Sequence, residues 1–151
     1  MMELIPARQL SASKDCERLI KVSEGLELES YQCGANKWSI GYGSTDGVTA
    51  GMTITESQAD ILLRKDMAVA EDIVKDFFGD IPMHQGMFDA LTSFALNFGP
   101  KMGGYSIAAM VRDPAVTDAQ IAKKALEYQY TKRDDDGDGD TDAVIDAGLP
   151  I

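Results

Sequence analysis

One long helix near the middle of the chain constrains the fold more than any other feature. Thr55-Glu56-Ser57-Gln58 has the spacing of a capping box, in which residues at either end of a helix's first turn satisfy each other's backbone amides. From there Ala59, Leu62, Leu63, Asp66, Ala70, Ile73, Val74, Phe77 and Phe78 continue a mostly apolar stripe at helical period as far as Gly79. A chain of 151 residues, 44% of them hydrophobic, can bury one sizeable core but is too short for two ordinary domains. A single domain over residues 1–151 is the expectation.

On the N-terminal side of this helix, Ser13 to Ser23 reads as a shorter one. Cys16, Leu19, Ile20 and Val22 are among its apolar positions, Ser11 or Ser13 supplies its cap, and Glu24 stands at its end. From Leu28 to Val48 the period shortens, and glycine, aromatic and β-branched residues predict a small antiparallel sheet. Gly41 and Gly43 let its backbone turn tightly or approach a ligand. On the C-terminal side, Gln85 to Phe98, Tyr105 to Val111 and Asp118 to Tyr130 predict further helices, broken by Gly99-Pro100 and by Pro114. Phe88, Leu91, Phe94 and Leu96 form a core stripe. His84, ahead of a helix start, reads as a surface or capping residue. The class is α+β, with no internal repeat.

The net charge of −11 is unevenly spread. Asp134, Asp135, Asp136, Asp138, Asp140, Asp142 and Asp146 follow the last basic residue, Arg133, and leave 14 basic against 18 acidic residues before them. Nucleic acid is disfavoured as a partner, because binding it requires a basic face to neutralise phosphates. Residues 134–142 place oxygens at positions one, three, five, seven and nine with glycine at six, as a calcium loop of the EF-hand type does, but Ile145 holds position twelve. The two readings of this acidic loop are a structural calcium site, with Asp134, Asp136, Asp138, Asp140 and Asp142 as ligands, and a solvated turn that binds cations loosely.

Two cysteines, Cys16 and Cys33, are too few for a disulfide scaffold, and with one histidine they fit no zinc motif. A bridge between them would disable Cys33 as a thiol. No apolar run is long enough to span a bilayer, and Met1 to Asp15 lacks the pattern of a secretory signal. The expectation is a protein made in the cytoplasm that depends on something else for export.

A carboxylic acid at a helix end followed by a short hairpin suits protonation of a glycosidic oxygen while a second group acts from the other side of the sugar. Glu24 fits that description, and an acid in this role is expected to be buried against apolar neighbours so that it holds its proton near neutrality. The hairpin ends in Trp38-Ser39-Ile40-Gly41-Tyr42-Gly43-Ser44-Thr45.

The string from Leu19 to Tyr31, together with Trp38 to Gly43, Ile54 to Leu63 and Gln85 to Gly99, resembles the phage-type lysozymes, the muramidase endolysins, in register over roughly Leu19 to Arg112. The resemblance implies a small antiparallel-sheet lobe (about 24–50) joined by the linking helix (about 55–78) to a helical lobe (about 84–151), with the glycan in the cleft between them. It implies a glycoside hydrolase cleaving the β-1,4 bond between N-acetylmuramic acid and N-acetylglucosamine with inversion, and needing no cofactor. The family pattern of glutamate, aspartate and threonine falls on Glu24, Cys33 and Ser39, so Glu24 becomes the general acid and Cys33 with Ser39 handles the water. Cys33 serves either as a base or as the border of a water held by Ser39.

Tyr31 and Asn97 are candidate sugar contacts, with core packing as the alternative, and Trp38 reads as structural. Peptidoglycan glycan strands are the implied partner of a monomer that stays in the host cytoplasm until a holin pore, or a phage particle, brings it to the wall. A virion lysozyme acting at infection, and a non-catalytic calcium-stabilised module on a lysozyme scaffold, are the alternatives. The family continues beyond the equivalent of Gly148-Leu149 into an arginine-rich helix, whereas this sequence stops at Ile151, as a trimmed chain or a fragment would.

Overall fold

Residues 3–34, 36–121, 123 and 124 are described in a computed structural model of the chain. In order they form β1 (Ile5–Pro6), a 3-10 turn (Ala7–Gln9), α1 (Lys14–Glu24), β2 (Glu27–Gln32), β3 (Trp38–Gly41), α2 (Glu56–Phe78), β4 (Pro82–Met83), α3 (Gln85–Phe98), a 3-10 segment (Gly99–Gly104) and α4 (Ser106–Arg112).

The capping box forms as the spacing predicts. Thr55 Oγ1 accepts from Gln58 N at 3.1 Å, and the Gln58 side chain accepts from Thr55 N at 2.8 Å. Two apolar clusters divide the helix this box opens. Leu63 and Met67 in its first half pack with Cys16 and Ile20 of α1, and Ala70, Val74 and Phe78 in its second half enter a larger core with Phe88, Leu91 and Phe94 of α3 and Ile107 of α4. Leu96 touches both clusters. Phe78, Phe88 and Leu91 are fully buried, and cutting one such side chain back to alanine costs about 2–5 kcal/mol.

The periodicity of α1 marks its apolar positions but not how wide a face is covered. Cys16 and Ile20 are buried, whereas Leu19 and Val22 are 70% and 79% exposed, so the core face of α1 is narrower than the sequence predicts. Ser13 supplies the cap, its hydroxyl accepting from Cys16 N at 3.1 Å. His84 occupies the N-cap position of α3 without making a side-chain cap bond, and its Nδ1 is buried with no hydrogen bond among the described residues. A capping role for that ring is therefore not realised.

Strands β2 and β3 pair antiparallel, with Glu27 opposite Gly41, Tyr31 opposite Ser39 and Gln32 opposite Trp38, and the register shifts between Glu27 and Tyr31. The chain at residues 52–54 adds to the other edge of β2, where Ser30 N donates to Met52 O and Ile54 N to Leu28 O, both at 2.9 Å. Trp38 is half-buried and belongs to neither apolar cluster. Strands β1 and β4 make a separate two-stranded pair.

Candidate active site

Helix α1 stops at Glu24 because Gly25 adopts φ 74°, a conformation glycine takes without penalty, and its N–H closes on Lys21 O at 3.0 Å. Two anchors fix the helix. At its start the Ser13 N–H and hydroxyl both donate to the Asp89 carboxylate of α3, at 3.0 and 2.5 Å. One turn before Glu24, Lys21 Nζ lies 2.8 Å from Asp60 of α2 and 3.2 Å from Glu17, with the Tyr42 ring centre at 5.5 Å. The Asp60 contact, above all, raises the Lys21 pKa, so the ammonium stays charged.

Beyond β3 the chain folds back. Ile40 and Ser44 exchange two backbone hydrogen bonds of 2.9 Å, and Gly43 between them has φ 94°. A Cβ at Gly43 would lie 3.4 Å from Glu24 Oε2, so this turn brings bare backbone against the carboxylate. Ser44, buried, donates to Asp66 Oδ2 at 2.6 Å and pins the turn to α2.

Glu24, Tyr42 and Gly43 line one side of a cleft of about 380 Å³ that also borders Asp46, Lys65 and Asp66, with Leu96 and Asn97 contributed by α3. Glu24 is exposed in this cleft, not buried against apolar neighbours as the sequence reading expects. The neighbours of its carboxylate are the glycine turn and the open cleft.

Cys33 and Ser39 come together on the hairpin, Sγ to Oγ at 2.8 Å, with Ser39 buried and Cys33 half-buried. Tyr31, 38% exposed, is the cross-strand partner of Ser39. Its phenol pKa is raised, first by burial and next by the Cys33 charge, against a hydrogen bond to Ser39 that acts the other way. Glu24 is close enough to contribute in the same upward direction. Of the sequence candidates, Glu24 and Asn97 line the cleft, while Tyr31, Cys33 and Ser39 cluster beside it and are not among its lining residues.

Cys16 and Cys33 are both free thiols. Cys16 sits in the α1–α2 cluster, and burial, followed by the charges of Asp89, Glu71 and Glu17, pushes its pKa up to about 12. Asp134, Asp136, Asp138, Asp140 and Asp142 lie outside the described residues. Among the described residues no group of three or more His, Cys, Asp or Glu is placed to hold a metal ion, and no helix is long and apolar enough to cross a membrane.

Sequence reasoning misses Asp46 and Asp66 as parts of this cleft, and Ser44 as the residue that pins the neighbouring turn to Asp66. Asp66 does carry a signal, as a charged residue interrupting the apolar stripe of α2.

The profile of the phage lysozyme family matches residues 21–138. An endolysin of Acyrthosiphon pisum secondary endosymbiont phage 1 is 40% identical over 81 residues, which are 54% of this chain and 55% of that protein. The chain thus spans about half the length of the curated relatives it matches. Among solved structures, the muramidase domain of SpmX from Asticaccaulis excentricus superposes with a TM-score of 0.68 at 25% identity, covering 93% of this chain and 95% of that one. The endolysin from Escherichia coli O157:H7 phage FAHEc1 gives 0.61 at 30% identity, covering 79% and 76%. With a lysozyme-like α+β fold and a family profile matched over most of its length, the chain belongs to the phage lysozyme family.

Proposed function

We propose that the protein is a peptidoglycan hydrolase, a muramidase that cleaves the β-1,4 bond between N-acetylmuramic acid and N-acetylglucosamine. The observation that carries this reading is the placing of Glu24: a carboxylic acid at a helix end, open to a cleft, with bare glycine backbone against it and a thiol–hydroxyl pair on the adjoining hairpin. A glycan strand in the cleft meets the acid from one side.

In the proposed reaction the glycosidic oxygen takes the proton of Glu24 as its bond to the anomeric carbon breaks. A water held by Ser39 and Cys33 attacks the opposite face of the ring, its oxygen bonds to the anomeric carbon, and its proton passes to the Cys33 sulfur. One displacement from the opposite face inverts the configuration. Proton exchange with solvent then returns a proton to Glu24 and removes the one taken by Cys33, and no cofactor enters the cycle. Asn97 contacts the sugar from α3, and Tyr31 offers its ring face at the hairpin.

Such an activity serves lysis of the host, with the monomeric protein held in the cytoplasm until a holin pore or a phage particle brings it to the wall. The test is a wall-clearing assay of the full chain and of Glu24→Gln. Clearing by the first and not by the folded second supports the enzyme. A wild-type protein that clears no wall would leave a scaffold without this chemistry.

A further inference from the structure

Among the described residues that line the cleft, three carry carboxyl groups, Glu24, Asp46 and Asp66, and one is basic, Lys65. The glycan proposed above has carboxylates of its own, on the lactyl arm of each muramic acid or on the peptide stem attached to that arm. Acidic lining residues oppose such a group, and Lys65 is the lining side chain that attracts it. Neighbouring cations are engaged elsewhere: Lys21 lies 2.8 Å from Asp60, and Arg64 lies 3.5 Å from Glu17.

Contacts on either side of Lys65 fix its backbone relative to the acid. Leu63 and Met67 pack with Cys16 and Ile20 of α1, the helix that ends in Glu24. Asp66 accepts the 2.6 Å bond from Ser44, next to the Gly43 backbone that lies against the Glu24 carboxylate. The Lys65 ammonium, by contrast, is loosely held. Its ion pair is with Asp46 at 4.0 Å, and the two side chains are 69% and 89% exposed. A pair that long and that exposed contributes little, so a substrate carboxylate can replace Asp46 readily. Val69 and Ile73 follow four and eight residues on, along the same face of α2, and also line the cleft. An ammonium beside apolar side chains suits a carboxylate whose neighbouring carbon bears a methyl group, as in a lactyl arm or a terminal alanine.

We infer that Lys65 is a specificity-determining residue, its ammonium receiving a carboxylate carried on the muramic acid arm of the substrate. The inference takes its substrate from the muramidase reading, but it concerns binding and is tested without cleavage. The probes are a stem-free tetrasaccharide of alternating N-acetylglucosamine and N-acetylmuramic acid, the same tetrasaccharide bearing peptide stems, and each of these with every carboxylate converted to its methylamide. Binding to the full chain carrying Glu24→Gln is measured by calorimetry at about 0.01 M salt, with and without Lys65→Gln. Glutamine is as good a helix former as lysine, so the second substitution keeps α2.

For each probe, the methylamide dissociation constant divided by that of the acid reports what the carboxylate contributes. Lys65→Gln should lower this ratio about threefold or more, and Lys65→Arg, which keeps the charge, should restore it. Salt at about 1 M should shrink the effect, since screening then acts over about 3 Å. A change with the stem-free pair assigns the contact to the lactyl carboxylate, and a change confined to the stem-bearing pair assigns it to the stem. A ratio that Lys65→Gln leaves unaltered for both pairs, or acid probes that do not bind, overturns the inference. A lowered ratio in a protein whose Glu24 form clears no wall would sustain the Lys65 contact and sink the muramidase reading. Clearing with unaltered ratios would sink the Lys65 contact alone.

Discussion

Ser44 and Asp66 are joined by a 2.6 Å hydrogen bond that ties the glycine turn behind Glu24 to the linking helix. Ser44 is buried, so its hydroxyl has little access to solvent as a substitute partner. Ser44→Ala should destabilise the fold by about 1.5–3 kcal/mol, the range for hydrogen bonds to charged groups, as measured by urea unfolding. Asp66→Asn should cost less, since the amide oxygen still accepts. Equal unfolding midpoints for Ser44→Ala and the wild type would show that the turn holds its position without this bond.

Glu24→Gln should lower wall clearing about a hundredfold or more while leaving the melting temperature near the wild-type value. The amide keeps the shape and loses the proton, and the exposed side chain contributes little packing. Turnover at the wild-type rate in the folded variant would remove Glu24 from the reaction.

In the proposed reaction Cys33 stands where the family pattern has a carboxylate. Thiols ionise at higher pH than carboxylic acids, so Cys33→Asp should keep substantial activity and move the rising limb of the pH profile toward acid. Cys33→Ala is the decisive variant. If it clears walls as fast as the wild type at every pH, Ser39 alone positions the water.

Cys16 makes a prediction about stability. Its folded pKa of about 12 lies above the ordinary thiol value of 9.0, so the folded state holds a proton that the unfolded chain releases as pH rises. That contribution is complete below pH 9 and should be lost progressively between about 9 and 12. The loss is of the order of a few kcal/mol, at about 1.4 kcal/mol for each pH unit. Urea unfolding across this window should show a smaller alkaline loss in Cys16→Ala than in the wild type, and parallel curves would refute the linkage.

For the acidic stretch 134–142, millimolar calcium should raise the melting temperature, because a ligand that binds only the folded state stabilises it. Magnesium, which demands tighter octahedral geometry, should do less. Equal rises with calcium, magnesium and sodium chloride at matched ionic strength would reduce the effect to screening.

What the sequence can disclose follows the range of the interactions concerned. Thr55 and Gln58 lie within one helical turn, so their capping box is legible from spacing, and the span Gln85–Phe98 is bounded by its own stripe and by Gly99. Glu24, Cys33 and Ser39 emerge from matching a family pattern, and the pairing of Tyr31 with Ser39 depends on a register shift that no local signal announces. The Ser44–Asp66 bond joins side chains 22 residues apart whose elements meet only in the folded state. Leu19 and Val22 are apolar positions of α1 that stay exposed, because helical period gives a direction around the axis and not the extent of what covers it. Burial of Glu24 fails as an expectation for the same reason: an open cleft is a property of the assembled lobes.

The bonds from Ser13 to Asp89 span 76 positions of the chain and hold the start of the helix that ends in Glu24. A ribosome that has released α1 and the hairpin has therefore made the acid but not its anchor. A truncated or stalled product ending before α3 would carry Glu24, Cys33 and Ser39 without the carboxylate that holds the start of α1.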